Sequence, residues 1–359
     1  MKAYLGLCLG FLTVSSAFSA PLEVFKPWPG VSDPLIMSGD FVRKFSHLPL
    51  KAVVRDDRKY WTSDWWPLQK GNINYRWNAP RPKGFNLDSP SKLKAQRMSI
   101  QELAELAPSE KFDLFMGRYD YPLKKEVEQK VSPDRSLWEG ICHGWAPAMS
   151  NHNEPTPKVV MNPDGIEIPF GSADIKGLLS YYYAFEHYGP NHQMGRRCYQ
   201  GRTWWRWRVG EECIDDMNAG AFHIVLSNRV GLLGMSFVAD LENGSQVWNH
   251  VPYRYHSTIT NSSLAPASNA APGTKKVVQV RTVVDYVFSG QKNLWEPVLG
   301  TTEQVIKQRT YEYTLDLDAS GNIIGGDWIS SARPDFLWLM QRAPGFNDKF
   351  ARLHELLDD

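Results

Sequence analysis

Apolar residues follow a helical spacing in the middle of the chain. Ser99 and Glu102 stand three residues apart before Leu103 and Leu106, which is the pattern of a capped helix. Further helices are predicted at residues 109–117, 122–131 and 172–188. The middle of the chain is therefore predicted to be mostly helical.

From about residue 220 the apolar residues recur at every second position, which predicts β-strands. The predicted strands are residues 222–226, 235–238, 246–248, 276–288 and 310–317. Residues 260–274 are rich in Ser, Asn, Ala and Pro and are predicted to form a surface loop. Helices first and strands later indicate an α+β fold, in which an antiparallel sheet packs against helices.

The two ends of the chain differ in composition from the rest. Residues 1–20 combine Lys2, an uncharged apolar stretch and a run of small residues, which predicts a secretory signal peptide. Residues 21–95 are rich in Pro and Trp and are interpreted as an irregular N-terminal lobe, with a removable propeptide as the alternative. Residues 96–345 then form the main domain, and residues 346–359 form a C-terminal tail helix. The mature protein is expected to be secreted or periplasmic, without a membrane anchor.

Charge and cysteine content narrow the function classes. The 359 residues carry a formal net charge of +1, so no overall charge points to nucleic acid or to an anionic membrane. Of the four cysteines, Cys8 would leave with the signal peptide. Cys198 and Cys213 flank a short segment and are predicted to form a disulfide in an oxidising compartment. Cys142 is left as a free thiol, which is either a reactive group or a buried structural cysteine.

Cys142 has the local sequence of a nucleophile. It follows Gly140 and precedes a short predicted helix, and a helix N-terminus stabilises a thiolate and offers backbone N–H groups to an oxyanion. The base should be a distant histidine, and His223 is predicted to begin a strand. Asp240 ends the next strand of that hairpin and is predicted to orient His223, with Asn249 on the following strand as the alternative.

One segment resembles the catalytic segment of the transglutaminase-elicitor family. Residues 138–148 carry it and read Trp-Glu-Gly-Ile-Cys-His-Gly-Trp-Ala-Pro-Ala. Other segments similar to that family are residues 220–223, 247–249, 321–328 and 334–338, so the resemblance extends from about residue 61 to residue 338. After Trp248-Asn249 the family continues with Gln-Pro-Val, whereas this chain has His250-Val251-Pro252.

The resemblance implies a secreted protein-glutamine γ-glutamyltransferase with residues 96–345 as its catalytic domain. In a papain- or transglutaminase-like arrangement, the helical half would carry Cys142 and the antiparallel sheet would carry His223. Cys142 would attack a glutamine carboxamide, ammonia would leave, and a lysine amine would take the acyl group. His223 would shuttle the protons and Asp240 would orient it. The expected partners are proteins with accessible Gln and Lys, including cell-wall or cell-surface proteins.

Two other functions fit parts of the sequence. A papain-like cysteine protease forms the same thioester and resolves it with water, so it would use the same Cys142 and His223. A non-enzymatic protein of the cell surface would instead bind glycans through the Trp clusters at residues 61–66 and 204–207. The second alternative predicts that Cys142 is buried and inert to alkylation.

Calcium is a candidate cofactor, because some members of the resembled family depend on it. Asp316, Asp318 and Ser320, with Asp327 at the twelfth position, match part of a calcium-loop spacing. The predicted flanks are strands, however, and a β-hairpin turn explains the same residues. The sequence leaves both interpretations open.

Overall fold

The structure is a computed structural model that describes residues 28, 30–56, 58–187, 191–197, 217–244, 246–290 and 292–358. The predicted signal peptide, the Cys198–Cys213 pair and the Trp cluster at residues 204–207 lie outside these residues. Within the described part of the chain, no helix combines the length and the apolar character that a membrane span requires.

The described helices lie mainly in the first two thirds of the chain. The α-helices are α1 (Lys92–Ala95), α2 (Ile100–Ala104), α3 (Pro108–Phe115), α4 (Pro122–Glu128), α5 (Cys142–Asn151), α6 (Ser172–Phe185) and α7 (Ala219–Leu226). A π-helix, Ser227–Leu233, continues α7. Short 3-10 helices are Gly30–Ser32, Pro34–Ile36, Phe45–His47, Leu68–Lys70, Asn72–Asn74 and Asp348–Leu356.

Most of the described strands belong to one antiparallel sheet. The strands are β1 (Lys51–Val53), β2 (Lys158–Met161), β3 (Glu167–Phe170), β4 (Asn191–Gly195), β5 (Val238–Asp240), β6 (Asn249–Leu264), β7 (Lys276–Val287), β8 (Ile306–Leu317), β9 (Ile323–Gly325) and β10 (Phe336–Met340). The sheet order is β4-β10-β5-β6-β7-β8-β9, with β1 also paired to β6, while β2 and β3 form a separate hairpin. β10, from near the end of the chain, therefore inserts between β4 and β5.

The predicted helices of the central region are confirmed. α2 has the predicted capping box, because the Ser99 hydroxyl accepts from the Glu102 N–H and the Glu102 carboxylate accepts from the Ser99 N–H. α4 and α6 lie within the predicted ranges 122–131 and 172–188, and α3 begins one residue before the predicted range 109–117. At the start of α6 the Asp174 carboxylate accepts from the Gly171 N–H, which fixes the first helical residue at Ser172.

The strand predicted at residues 222–226 is wrong, because these residues belong to helix α7. The Asn218 side chain caps α7 by accepting from the N–H groups of Gly220 and Ala221. Every residue of α7 is buried, so apolar residues occur on all sides of the helix. Its sequence therefore lacks the alternation of apolar and polar residues by which an amphipathic helix is distinguished from a buried strand. His223 therefore lies on a helix that packs against β8 and β9, and not on the sheet as predicted.

The strands of the second half agree with the sequence in part. β7 and β8 confirm the predictions at residues 276–288 and 310–317. β6 extends to Leu264, so the first part of the predicted surface loop pairs with β7 instead. Residues 246–248 precede β6, and β5 begins at Val238 and not at residue 235. These shifts change which residues face each other near the ends of β5 and β6.

The N-terminal lobe packs into the core of the main domain. Trp61 and Trp66 are buried, and the Trp61 indole donates to the carbonyl of His152 (3.1 Å). Strand β1 of the lobe pairs with β6. The tail at the other end is a 3-10 helix whose Phe350, Leu353 and Leu356 are also buried.

Candidate active site

Cys142 is the first residue of α5, and the N-terminal lobe holds it there. The Ile141 N–H donates to the carbonyl of Trp65 (2.8 Å), and the Leu68 N–H donates to the carbonyl of Glu139 (2.9 Å). Gly140 fits between these bonds because a Cβ there would collide with the Trp65 carbonyl. The first N–H groups of a helix have no partner inside it, so α5 points free donors and its positive dipole end at the thiol region.

The short spacing between α5 and α6 depends on Gly144. A Cβ at this position would collide with the carbonyl oxygen of Ser180 and lie 2.7 Å from the Cβ of Ala184, both on α6. Gly144 therefore lets α5 and α6 approach closely, and this contact helps to fix the position of Cys142 at the start of α5.

We expect Gly144→Ala to lower the free energy of unfolding by about 1–3 kcal/mol, because the added methyl group overpacks the contact between α5 and α6. Urea unfolding followed by tryptophan fluorescence measures the change. Gly39→Ala is the control. Gly39 is exposed and does not need a positive φ, and a Cβ added there would have no other atom within 4 Å. Equal stability of the two variants would contradict the expected contact.

The thiol of Cys142 contacts the start of strand β6. Asn249 Nδ2 donates towards Sγ at 3.6 Å, and Sγ lies 3.9 Å from the carbonyl oxygen of Val247. The Trp338 indole donates to Asn249 Oδ1 at 2.8 Å. This second bond fixes the amide, so that its donor end and not its acceptor end faces the sulfur.

Asp240 lies directly opposite Asn249 in the antiparallel pairing of β5 and β6. Residues opposite each other in such a ladder project from the same face, so the carboxyl of Asp240 shares a face with the amide that contacts Cys142. Asp240 is fully buried, and its Oδ2 has no hydrogen-bond partner among the described residues. A buried acceptor with an unused oxygen therefore shares a face with the amide that contacts the thiol, and no hydrogen bond joins Asp240 to Cys142 among the described residues.

Burial controls the protonation of both groups. It raises the pKa of the Cys142 thiol, and the Asp240 carboxylate raises it further, while the N–H and amide of Asn249 lower it. Burial also raises the pKa of Asp240 to about 8; Asp335 adds to this shift, and the Trp248 N–H and Arg197 oppose it. A carboxyl with a pKa close to the working pH suits general acid–base chemistry.

His223 lies in a buried hydroxyl network on α7. Its Nδ1 is 2.8 Å from the hydroxyl of Tyr313, which is 2.7 Å from Thr282 Oγ1, and Thr282 Oγ1 is 2.8 Å from Ser257 Oγ. Its Nε2 has no hydrogen-bond partner among the described residues. Burial lowers the pKa of His223 to about 4, so the imidazole is neutral at physiological pH.

The structure thus links Cys142 to Asn249 by a contact and Asn249 to Asp240 by strand pairing, and it joins none of the three to His223 by a hydrogen bond. The predicted His223–Asp240 hairpin is wrong, because β5 pairs with β6 and β10. All nine histidines lie in the described part of the chain, and none of them hydrogen-bonds the thiol there. The base role of His223 stays a prediction.

Sequence reasoning missed the contributions of Trp65, Trp338 and Asp335 to this site. For Trp338 and Asp335 the only signal was that residues 334–338 resembled a family segment, and for Trp65 it was the Trp cluster at residues 61–66. The contacts of Trp338 and Asp335 arise because β10 inserts beside β5, which is a long-range feature of the sheet.

The residues considered for calcium form a turn. The Asp318 carboxylate accepts from the N–H groups of Ser320 and Asn322 and from the Asn322 amide, and Asp316 accepts from the Ala271 N–H. Among the described residues, no group of three or more His, Cys, Asp or Glu side chains is arranged to hold a metal ion. The donors present at this turn therefore do not fit calcium.

Comparison with known proteins identifies the family. A family model described as transglutaminase elicitor matches residues 134–350. The chain belongs to the transglutaminase elicitor family. This confirms the resemblance found in the sequence, and the matched residues include Cys142, His223, Asp240 and Asn249. It supports a transglutaminase-type function.

A solved structure has the same fold. The GP42 transglutaminase from Phytophthora sojae superposes with a TM-score of 0.67 at 20% sequence identity, over 90% of this chain and 94% of that chain. At this identity the likeness concerns the fold, which is α+β with a large antiparallel sheet. A search of the curated proteins finds no match.

Proposed function

We propose that this protein is a secreted protein-glutamine γ-glutamyltransferase in which Cys142 is the nucleophile and Asp240 transfers the proton. The observation that carries the proposal is the buried thiol at the N-terminus of α5 and its contact with the Asn249 amide. This amide shares a face of the sheet with the buried Asp240 carboxyl, whose Oδ2 has no hydrogen-bond partner among the described residues. Membership of the transglutaminase elicitor family supports the reaction class.

In the first half-reaction the ionised Asp240 accepts the thiol proton, and the Cys142 sulfur attacks the carboxamide carbon of a glutamine side chain. The negative charge that develops on the oxygen is stabilised by donors at the start of α5, such as the Cys142 N–H, and by the Asn249 amide. Asp240 then returns the proton to the leaving nitrogen. The C–N bond breaks, ammonia leaves, and the acyl group remains on sulfur as a thioester.

In the second half-reaction a lysine amine attacks the thioester carbon. Asp240 accepts a proton from the attacking nitrogen, the C–S bond breaks and an isopeptide bond forms. The thiolate then recovers a proton from Asp240, so the enzyme returns to its starting state. The same carboxyl therefore acts as base and acid in both halves, which requires a pKa near the working pH.

Two tryptophans favour an amine over water as the second nucleophile. The rings of Trp65 and Trp248 meet edge to face with centroids 5.8 Å apart. Both belong to the segments that hold Cys142, since Trp65 accepts from the Ile141 N–H and Trp248 precedes Asn249. Both rings are half-buried. We propose that they form an apolar wall near the thiol that limits access of water.

The remaining parts of the proposal come from the sequence. The predicted signal peptide would export the protein to the periplasm or the medium. The substrates would be proteins with accessible Gln and Lys side chains, cell-wall and cell-surface proteins among them. Calcium at the candidate turn is not part of the proposal, because the acidic residues there already accept hydrogen bonds from backbone and amide N–H groups.

Incorporation of a fluorescent primary amine into casein tests the proposal. The mature protein is compared with Cys142→Ala, with calcium and with a chelator, and new peptide termini are measured in the same reaction. We expect incorporation by the mature protein that is absent in Cys142→Ala, and the chelator arm measures whether the reaction needs calcium.

Each other result points to a different function. New peptide termini without amine incorporation would indicate a cysteine protease. Neither product, together with slow and pH-independent alkylation of Cys142 by iodoacetamide, would indicate the non-enzymatic protein. Incorporation that the chelator stops would show that the reaction needs a metal ion bound away from the candidate turn, while leaving Cys142 as the nucleophile.

A further inference from the structure

Asp64 is a buried carboxyl in the segment that holds the start of α5. It is 8% exposed and directly precedes Trp65, whose carbonyl accepts from the Ile141 N–H. Asp64 pairs with Gly290, which follows β7, through an isolated antiparallel bridge, and its Oδ2 accepts from Asn293 Nδ2 at 3.4 Å. The mechanism proposed above gives this carboxyl no role.

Two acceptor oxygens at this point lack a donor. Asp64 Oδ1 and Asn293 Oδ1 are both buried, and neither has a hydrogen-bond partner among the described residues. The two side chains lie side by side, because Asn293 Nδ2 donates to the other oxygen of Asp64. Three further buried hydroxyl groups of the same two segments also lack a partner, namely those of Thr62, Ser63 and Ser289. Buried acceptors without a donor are costly, so this place favours a ligand that donates hydrogen bonds.

The Trp65 ring connects Asp64 to the nucleophile. A Cβ added at Gly140 would lie 2.5 Å from Cδ1 of this ring, so the ring packs against the segment that leads into Cys142. The same ring meets the Trp248 ring edge to face, and Trp248 directly precedes Asn249, whose amide contacts the thiol. The residue next to Asp64 therefore contacts both segments that meet at the thiol.

An ammonium group already lies against the Trp65 ring. Lys70 Nζ is 5.8 Å from the ring centroid, within the range in which an aromatic face attracts a cation. Burial raises the pKa of Asp64 to about 6 and the charge of Lys70 opposes this shift, so the carboxyl is mostly ionised at pH 8 and interacts with the ammonium. Because Lys70 is exposed, another ammonium group can take its place without disturbing the core.

We propose that Asp64 and the Trp65 ring bind the ammonium group of the acyl acceptor, so that the acceptor lysine reaches the thioester from this side. This inference rests on the proposed function. A lysine ammonium has three donors for the two unpartnered oxygens, and its flexible four-carbon stem can lie along the half-buried rings of Trp65 and Trp248. The bound ammonium loses one proton to water before it attacks, and Asp240 accepts the second proton as the isopeptide bond forms.

A metal ion or a water molecule fits the same place less well. Among the described residues, no three His, Cys, Asp or Glu side chains are arranged to hold a metal ion, so Asp64 has no second acidic ligand of that kind beside it. A water molecule can donate to both oxygens, but it brings no positive charge to a buried carboxylate. A primary ammonium supplies both the donors and the charge.

The first test measures kcat and KM for the acceptor N-α-acetyl-lysine methylamide at pH 8 with a saturating glutamine donor. Asp64→Asn keeps the shape of the side chain and removes its charge. We expect the KM for the amine to rise about tenfold and kcat to stay within about twofold, because a charged hydrogen bond that holds the acceptor is lost. Asp113→Asn is the matched control, since Asp113 is also a buried carboxyl but accepts from the N–H groups of Leu123 and Lys124.

Hydroxylamine separates the charge of the acceptor from its nucleophilicity. It attacks thioesters but is uncharged at pH 8, so it does not need a carboxylate to bind it. We expect Asp64→Asn to leave the transfer to hydroxylamine unchanged, and also the release of ammonia when water resolves the thioester. Weaker transfer to hydroxylamine as well would mean that the whole site is damaged and would overturn the inference.

Lys70→Met tests the same place without touching a buried group. Lys70 is exposed, so the variant should fold like the wild type. Removing its ammonium frees the Trp65 ring and the Asp64 carboxylate for the acceptor. We expect the KM for the amine to fall roughly threefold, the size of an exposed charge interaction. An unchanged KM would contradict an ammonium site beside this ring.

A binding measurement needs no activity. Cys142→Ala is titrated in a calorimeter with N-α-acetyl-lysine methylamide and with the norleucine analogue, which has the same carbon stem without the ammonium. We expect the lysine compound to bind about tenfold more tightly, and this difference to disappear when Asp64→Asn is added. The first half of this comparison uses no Asp64 variant, so it decides the inference even if Asp64→Asn does not fold.

The outcomes separate this inference from the proposed function. Absence of amine incorporation in the wild type would reject the proposed function, and the binding comparison would still show whether Asp64 binds an ammonium group. Equal binding of the lysine and norleucine compounds to Cys142→Ala would overturn the inference and leave only water at the unpartnered oxygens. A lower kcat with an unchanged KM in folded Asp64→Asn would likewise overturn it and give Asp64 a structural role.

Discussion

Asp240→Asn is expected to lower kcat/KM for amine incorporation by roughly a thousandfold, which is within the range that general acid–base groups contribute. The substitution keeps the shape of the side chain and removes only the group that accepts the thiol proton. The Cys142 thiol should remain reactive in this variant. Because the Asp240 carboxylate raises the pKa of Cys142, its removal should lower that pKa and make alkylation by iodoacetamide faster at pH 8.

The two measurements together identify the role of Asp240. Faster alkylation with much slower transfer is the result expected when the nucleophile is intact and the proton acceptor is missing. A purely structural role would slow both reactions or neither. Any residual transfer by Asp240→Asn should also lack the acid limb near pH 8, since the titrating group has gone.

His223→Gln is the matched comparison, because the sequence predicts His223 as the base. The Gln side chain is polar and of similar length, so it can keep a hydrogen bond to Tyr313. We expect kcat/KM per folded molecule to fall less than about tenfold. Since the imidazole is neutral, with a pKa of about 4, its removal should also leave the profile above pH 6 unchanged. A thousandfold loss in His223→Gln with an active Asp240→Asn would support His223 as the base, as the sequence predicts, and would reject Asp240 in that role.

The nucleophile and the central helices could be predicted from local sequence. The capping box at Ser99 and Glu102 fixes α2 through two bonds made within four residues. Cys142 begins a helix as expected from the glycine before it and the short apolar run after it. Such features depend on neighbours in the chain and can therefore be predicted from one sequence.

The partners of Cys142 could not be predicted in the same way. α7 is buried on all sides, so its apolar residues show no helical periodicity. For this reason the sequence predicts a strand at His223, where the structure has a helix. The contact between Asp240 and Asn249 depends on the register of β5 and β6. Trp338 and Asp335 reach the site only because β10 joins the sheet between β4 and β5. Strand order and register are set by the whole fold, and no local pattern encodes them.

The N-terminal lobe raises a different question, because its sequence allowed a removable propeptide. Several of its backbone groups bond to the main domain instead of to each other. The Tyr60 N–H donates to Met149, and the Val54 N–H donates to Tyr253. The Ile141 N–H, next to the nucleophile, depends on the Trp65 carbonyl. Removing residues up to 95 would leave these groups without partners and would expose the core.

Trp61→Ala is therefore expected to lower the free energy of unfolding by about 3–5 kcal/mol, the usual cost of truncating a buried tryptophan. The Trp61 side chain is fully buried, its indole donates to the His152 carbonyl, and the Lys176 ammonium lies 5.3 Å from its ring centroid. Urea unfolding of the mature protein measures the loss. Leu93→Ala, in the same lobe but 58% exposed, is the control and should change stability by less than about 0.5 kcal/mol.

The same argument predicts that a chain starting at residue 96 does not unfold cooperatively and has no transferase activity. A propeptide behaves in the opposite way: its removal leaves a folded domain and exposes the active site. Limited proteolysis followed by urea unfolding and the amine assay separates these cases. A cleaved form that keeps a cooperative transition and gains activity would show that the lobe is a propeptide. Loss of both would show that Trp65 and its neighbours are part of the catalytic unit, because the start of α5 cannot hold Cys142 without them.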